Sequence, residues 1–257
     1  MKNRILFIAL VAVMAISCAP RQTEVEIIPI QDNVAPRLMQ RGLFADAPDS
    51  LFEALGLQDG IPSSVCAFLA KCDGKNVLFD AANGAPDSQL MHVLSSNDVA
   101  PEDVDYIFIT HLHGDHIGGL MKDGSAVFTD AELYINKVEY DAWMAMEQNA
   151  ALVALTQVYG DRLKTFAPGD ALPCGVEAME AYGHTPGHTV YKVGAALIVG
   201  DIMHGVALQL ENPQYCARFD MDPDQSIVTR KNILDMAVDN GLKLFGMHFP
   251  EPYYLQL

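Results

Sequence analysis

The sequence predicts an α+β fold in which two sheets pack on each other with helices outside. Three observations predict it. Short runs of aliphatic, aromatic and β-branched residues come in groups, and helical patterns separate the groups, which suits stacked layers around one core. Half of the residues are hydrophobic, enough to fill a sizeable interior. Small polar or charged residues follow strand ends at Asp80, His111, His184, Asp201 and His248. Loops at one edge of a rigid sandwich can carry a preorganised site in this way.

Taken in order, the first strand is expected over Glu24–Ile30. Residues 37–60 are turn-rich and read as a covering loop with a short helix at Ser50–Leu55. Val65–Ala70 and Asn76–Phe79 read as strands joined by a hairpin through Cys72-Asp73-Gly74-Lys75. Asp87–Ser95 has helical spacing, with Leu90, Met91 and Leu94 on one side. Tyr106–Thr110 is a short run of β-formers suited to a buried strand, and Leu133–Ile135 is another. Helices are expected at Val138–Glu147 and Ala151–Val158. Further strands are expected at Leu163–Phe166, Val176–Ala181, Val190–Val193, Ala196–Val199 and Leu244–Met247. Asp222 or Asp224 caps a long helix that reaches about Asn240 and stops at Gly241.

The N-terminus is a separate matter. Lys2 and Arg4 precede an apolar run, Ile5–Ile16, and then Ser17-Cys18. That is the layout of a secretory leader. A small residue before Cys resembles the lipobox of bacterial lipoproteins, although Ala15 stands where Leu is usual. The expectation is a leader at 1–17, a lipidated Cys18 and a single domain over 18–257. The protein would be exported and anchored to a membrane in the periplasm or at the cell surface. Plain secretion and a retained anchor stay open as alternatives. No stretch after residue 20 is long and apolar enough to cross a bilayer. The net charge is −17, and it becomes −17 − 2 = −19 without Lys2 and Arg4. Such a surface repels phosphate backbones, so a nucleic-acid partner is not expected. Cys66, Cys72, Cys174 and Cys216 form no CxxC or Cys-His pattern, so they read as thiols or disulfides rather than metal ligands.

The chemistry is concentrated in Thr110-His111-Leu112-His113-Gly114-Asp115-His116. Residues two apart on an extended chain share a face, so His111 and His113 can meet one metal. Asp115 and His116 then follow on a turn that Gly114 permits. Imidazole and carboxylate are zinc ligands. The second motif, Gly183-His184-Thr185-Pro186-Gly187-His188, is a tight turn between apolar strands. Of its two histidines, His188 is the expected ligand, and His184 is placed outside the ligand set. Asp201, after the apolar strand Ala196–Val199, can bridge two cations. His248 completes the ligand count.

This set resembles the metallo-β-lactamase superfamily over roughly Glu24–Pro250. The resemblance implies a four-layer αβ/βα sandwich. It also implies that His111, His113 and His188 hold one zinc and Asp115, His116 and His248 the other, with Asp201 bridging and Asp80 supporting the site from behind. His113 stands where diiron flavoprotein relatives have Glu, which disfavours a redox site. GHTPGHTVY, GDIMH, ALQ and Arg218-Phe219-Asp220-Met221-Asp222 look like the branch with methyl parathion hydrolase and related quorum-quenching lactonases. That branch tends to carry a His at the position of His204, where acyl-homoserine lactonases usually have Tyr.

The expected function is therefore a binuclear zinc hydrolase, with Mn, Fe or Co able to replace zinc. A hydroxide held between the metals would cleave a lactone or another carboxylic ester, with phosphotriesters as a side activity. Asp115 would orient the nucleophile or pass on its proton, and His204 would aid the oxyanion or the leaving group. Two other readings stand beside it: a thioester or β-lactam hydrolase on the same site, and a non-catalytic zinc-binding surface lipoprotein.

Overall fold

The computed structural model describes residues 25–146 and 149–257, so the leader and Cys18 lie outside the described residues. The first half runs β1 (Glu26–Gln31), β2 (Arg37–Met39), α1 (Asp49–Ala54), β3 (Ile61–Ser63), β4 (Cys66–Cys72), β5 (Lys75–Phe79), α2 (Leu90–Ser96) and β6 (Val104–Ile109). It continues through α3 (Gly114–Ile117), β7 (Met121–Lys122), β8 (Ser125–Ala126), β9 (Glu132–Asn136), α4 (Lys137–Ala145), α5 (Ala150–Tyr159) and β10 (Leu163–Phe166). The second half holds β11 (Glu177–Glu180), β12 (Thr189–Val193), β13 (Ala196–Gly200), α6 (Val206–Gln209), α7 (Pro223–Asn240), β14 (Lys243–Gly246) and β15 (Tyr254–Gln256).

Two sheets carry the fold, one ordered β1-β4-β5-β6-β9-β10 and the other β11-β12-β13-β14-β15. Successive strand residues point to opposite faces, and the sequence exploits this. Leu69, Leu78, Ile107 and Leu133 face outward from the first sheet, in one cluster with Leu90 and Leu94 of α2 and Leu152 and Leu155 of α5. Their neighbours Phe68, Phe79 and Phe108 face inward and cluster with Tyr191, Ile198 and Phe245 of the second sheet. On the far side, Val190, Leu197, Val199 and Leu244 meet Ile233, Leu234 and Ala237 of α7. Helices, sheet, sheet and helix make the four-layer αβ/βα sandwich. Burying each such Leu, Ile or Phe contributes about 1.5–3 kcal/mol.

Local signals explain several boundaries. Asp73 and Gly74 have left-handed backbones (φ 51° and 76°), as a two-residue turn between twisted strands requires. The Asp222 side chain accepts from Gln225 N at 3.0 Å and caps α7, and Gly241 ends it with φ 60°. Helix α2 starts three residues later than the periodicity suggests. The buried Asp32 carboxylate takes the Ser88 hydroxyl and the amides of Gln89 (3.0 Å) and Leu90 (3.3 Å), so a distant loop supplies the cap. Residues 37–60 are more than a loop: β2 pairs antiparallel with β3, and Met39, Phe44, Phe52 and Ile61 form a small core with Leu208. Among the described residues, no helix is long and apolar enough to cross a membrane.

The parallel strands β5 and β6, and likewise β13 and β14, end at one edge of the sandwich. Asp80, His111, Asp201 and His248 follow those ends within two residues.

Candidate metal centre

Beyond β6, His113 lies just before α3, which carries Asp115 and His116. Asp80 stands behind them. Its Oδ1 accepts from Thr110 N (2.8 Å), and its Oδ2 accepts from Thr110 Oγ1 (2.8 Å) and His116 Nδ1 (2.8 Å). Thr110 has spent its proton on Asp80, so at the 3.1 Å contact with His111 it is the imidazole Nδ1–H that donates. His248 Nδ1 donates to Ser64 O (2.9 Å), and His184 Nδ1 donates to Asp220 Oδ1 (2.9 Å). Asp220 is in turn held by the buried Arg230, at 3.2 Å. Fixing Nδ1 in this way leaves Nε2 of His111, His116, His184 and His248 as bare lone pairs aimed inward.

Those lone pairs converge. His111 Nε2 lies 2.9 Å from His113 Nδ1 and 3.1 Å from His184 Nε2, and His184 Nε2 lies 3.0 Å from His113 Nδ1. Three ring nitrogens this close can share one cation. A triangle of that size suits Zn–N bonds of about 2.0–2.1 Å. Asp115, His116 and His248 form a second group, with Asp115 Oδ2 3.6 Å from His248 Nε2. Asp201 stands between the two groups. Its Oδ1 is 3.2 Å from His116 Nε2, and its Oδ2 is 3.2 Å from His248 Nε2 and 3.5 Å from His184 Nε2. His116 Nε2 and Asp201 Oδ1 are buried without a hydrogen-bond partner. Orphaned acceptors of that kind fit a metal centre.

The electrostatics differ between the two groups: burial lowers His116 and His248, but Asp201 outweighs it and raises both, a pull that a bound cation would replace. Burial and neighbouring histidines hold His111 well below its ordinary value and bring His113 down to about 4, so both are neutral, ligand-ready imidazoles at pH 7. For Asp201, burial raises the value, but His248, His116 and His204 outweigh it and keep the group ionised, well below the usual range.

His188, expected with His111 and His113, is not among the converging nitrogens. It is fully buried, its Nδ1 donates to Ala181 O (3.1 Å), and its Nε2 accepts from Asp201 N (3.0 Å). Both nitrogens serve the backbone, and His184, which had been placed outside the ligand set, completes the triangle. A Cβ on Gly200 (φ 52°) would lie 2.6 Å from His188 Nε2, so glycine there lets His188 hold the Asp201 loop.

His204 is buried beside the metal groups. Its Nε2 is 3.3 Å from Asp201 Oδ2, neither ring nitrogen has a hydrogen-bond partner, and the ring stacks on His248 at 5.4 Å. A cleft of about 260 Å³ opens on the site, lined by Arg37, Met39, His113, Asp115, Asp201, Phe219 and His248.

Glu139 was not singled out from sequence. Almost wholly buried at the start of α4, it accepts from Leu112 N (2.9 Å), Thr185 Oγ1 (2.8 Å) and Gly187 N (2.8 Å). One carboxylate thereby ties both histidine loops together. Asp220 and Arg230 were likewise missed as supports of His184. Asp220 lies in the quoted Arg218–Asp222 run, whereas Arg230 has no local signal.

The family model of the metallo-beta-lactamase superfamily matches residues 61–248, from β3 through His248. The chain belongs to the metallo-beta-lactamase superfamily. Within that family, an N-acyl homoserine lactonase from Bacillus sp. is 26% identical over 149 residues, which is 56% of this chain and 56% of that one. The chain thus spans about half the length of this curated relative. A ribonuclease Z from Nanoarchaeum equitans is 49% identical over 47 residues, 18% of this chain and 13% of that one. Among solved structures, the hydrolase AbOPH of the beta lactamase superfamily superposes with a TM-score of 0.81 at 26% identity, over 91% of this chain and 90% of that one. The dizinc quorum-quenching lactonase AidC superposes with a TM-score of 0.79 at 24% identity over the same shares, a likeness of fold.

Proposed function

We propose that this superfamily member is a binuclear zinc hydrolase of lactones or other small carboxylic esters. The observation that carries the reading is Asp201. This ionised, buried carboxylate stands between a three-histidine group and an Asp-His-His group, as a bridging ligand must. The ligand set is His111, His113 and His184 on one side and Asp115, His116 and His248 on the other. Bound there, two zinc ions would bring the pKa of a water towards 7 and polarise the bond under attack.

The protein's own groups supply the rest. Asp80, Asp220 and the Ser64 carbonyl fix the inward nitrogens, so the site is organised before substrate arrives. Asp115 lines the cleft with its side chain 32% exposed and can take and pass on a proton at its free oxygen. His204, with no other hydrogen-bond partner, is available to the developing oxyanion or the leaving group. The cleft volume suits a small molecule, and Met39 and Phe219 offer apolar walls to its acyl part. The lactonase relative makes lactones the first class to try.

The test is metal content together with turnover of lactone, aryl ester, thioester, β-lactam and phosphotriester substrates. Two metal ions per chain and fastest turnover of a lactone or ester are expected. One tightly held ion, or no ester turnover with both ions bound, overturns the proposal. We further propose that residues 1–17 are a leader and that Cys18 carries lipid. Cys18→Ser should free the protein from the membrane fraction, and an unlipidated, cytoplasmic wild type would refute this.

A further inference from the structure

Two half-buried thiols that are far apart in sequence meet at the end of the sandwich opposite the metal groups. Cys72 ends β4, just before the hairpin into β5, whereas Asp80 follows the other end of β5. Cys174 sits in the turn before β11, whereas His184 follows the other end of β11. Cys72 Sγ donates to Cys174 O at 3.4 Å, and Cys174 Sγ lies 3.8 Å from Cys72 O. This reciprocal contact puts the two residues side by side, with each thiol reaching towards the other residue's backbone. A disulfide needs that kind of approach, with Cα atoms about 4.4–6.8 Å apart. Both side chains pack against the apolar cluster between the two sheets. Cys66 is fully buried, and Cys216 Sγ lies against Pro223 O (3.4 Å), so neither competes for this contact.

We propose that Cys72 and Cys174 are a disulfide site that staples the first sheet to the second. The oxidant is a small or protein disulfide of the kind an oxidising compartment supplies. One Cys thiolate attacks the oxidant's S–S bond, forms a mixed disulfide and releases one thiol. The second Cys thiolate then attacks the protein sulfur of that adduct, forms Cys72 Sγ–Cys174 Sγ and releases the second thiol. Two protein thiols are oxidised, one external disulfide is reduced to two thiols, and two protons move from protein to leaving groups. Burial and the adjacent Cys72 push the Cys174 thiol up to about 11, so the reaction runs slowly at pH 7 and faster as pH rises.

The bond would close a loop across 102 residues of sequence separation and restrict the unfolded chain accordingly. The test is to incubate the purified full-length protein with oxidised glutathione at about pH 8 and map its peptides without reduction. A Cys72–Cys174 peptide lighter by two hydrogens is expected. The melting temperature should rise by roughly 5–15 °C over the dithiothreitol-treated protein. Metal content should not change, because the pair lies away from the ligands. Cys72→Ser and Cys174→Ser should melt near the reduced wild type, lack the rise and keep a glutathione adduct on the remaining cysteine. Separate adducts or free thiols at both positions in wild type, a link to Cys66 or Cys216 instead, or a cross-link without a melting shift would each overturn the proposal.

Discussion

Replacing His184 and His188 one at a time by alanine separates ligand from scaffold within a single six-residue loop. His188 is fully buried and makes two hydrogen bonds, to Ala181 O and from Asp201 N. Deleting the ring leaves a buried carbonyl and a buried amide unpaired, at about 1–3 kcal/mol each. His188→Ala should therefore lose about 2–6 kcal/mol of stability. In a domain of this size that lowers the melting temperature by roughly 4–24 °C. The metal set should survive wherever the protein is folded. His184→Ala removes one vertex of the nitrogen triangle. Its supporting partners alone are worth about 10–100-fold in metal affinity, so losing the ligand should exceed that. Competition with a chelator reads metal affinity, and circular dichroism melts read stability. If folded His188→Ala binds metal as weakly as His184→Ala, or if His184→Ala keeps wild-type affinity, the assignment of the triangle is wrong.

Four other outcomes follow from the same geometry. Asp201→Ala should lower occupancy at both metal groups, whereas His248→Ala should empty mainly one, as elemental analysis of the dialysed proteins will show. Asp220→Asn keeps shape but loses the charge that holds His184 Nδ1–H and balances the buried Arg230, so metal affinity should fall about 10–100-fold and the metal-free protein should also melt lower. Glu139→Gln puts an NH2 group where only acceptors fit, and should lower stability by about 1–3 kcal/mol in a denaturant titration while loosening both histidine loops. His204→Ala should keep its metal and lower kcat by about 10²–10⁴-fold on an unactivated ester, but less on a nitrophenyl ester whose leaving group needs no protonation. An equal loss on both substrates would count against that role.

Much of this protein was legible one segment at a time. The strands declared themselves because residues buried on both faces must be apolar throughout, as in Tyr106-Ile107-Phe108-Ile109. The hairpin at Asp73-Gly74 and the ends of α7 at Asp222 and Gly241 were legible because turns and caps depend on neighbouring residues alone. The groups at His111, His113, Asp115 and His116 could be named together because one short loop carries them all. The edge strand β15 escaped notice, since three residues against β14 carry no period long enough to detect.

The sequence by itself determined the layered α+β fold, the superfamily and most residues that converge at the site. Only the tertiary structure sets His184 and His188 apart. Both occur in Gly183-His184-Thr185-Pro186-Gly187-His188, and local spacing treats them almost alike. What separates them is distant in the chain. Asp220 and Arg230 turn His184 so that Nε2 faces His111, while the Asp201 amide claims His188 from the other side. Glu139 joins loops that lie 27 and 46–48 residues away, and Gly187 is glycine because its Cβ would sit 2.2 Å from the Glu139 backbone nitrogen. A ligand is defined by where a lone pair points. That direction is set by partners which meet only when the two sheets pack, so no local pattern records it.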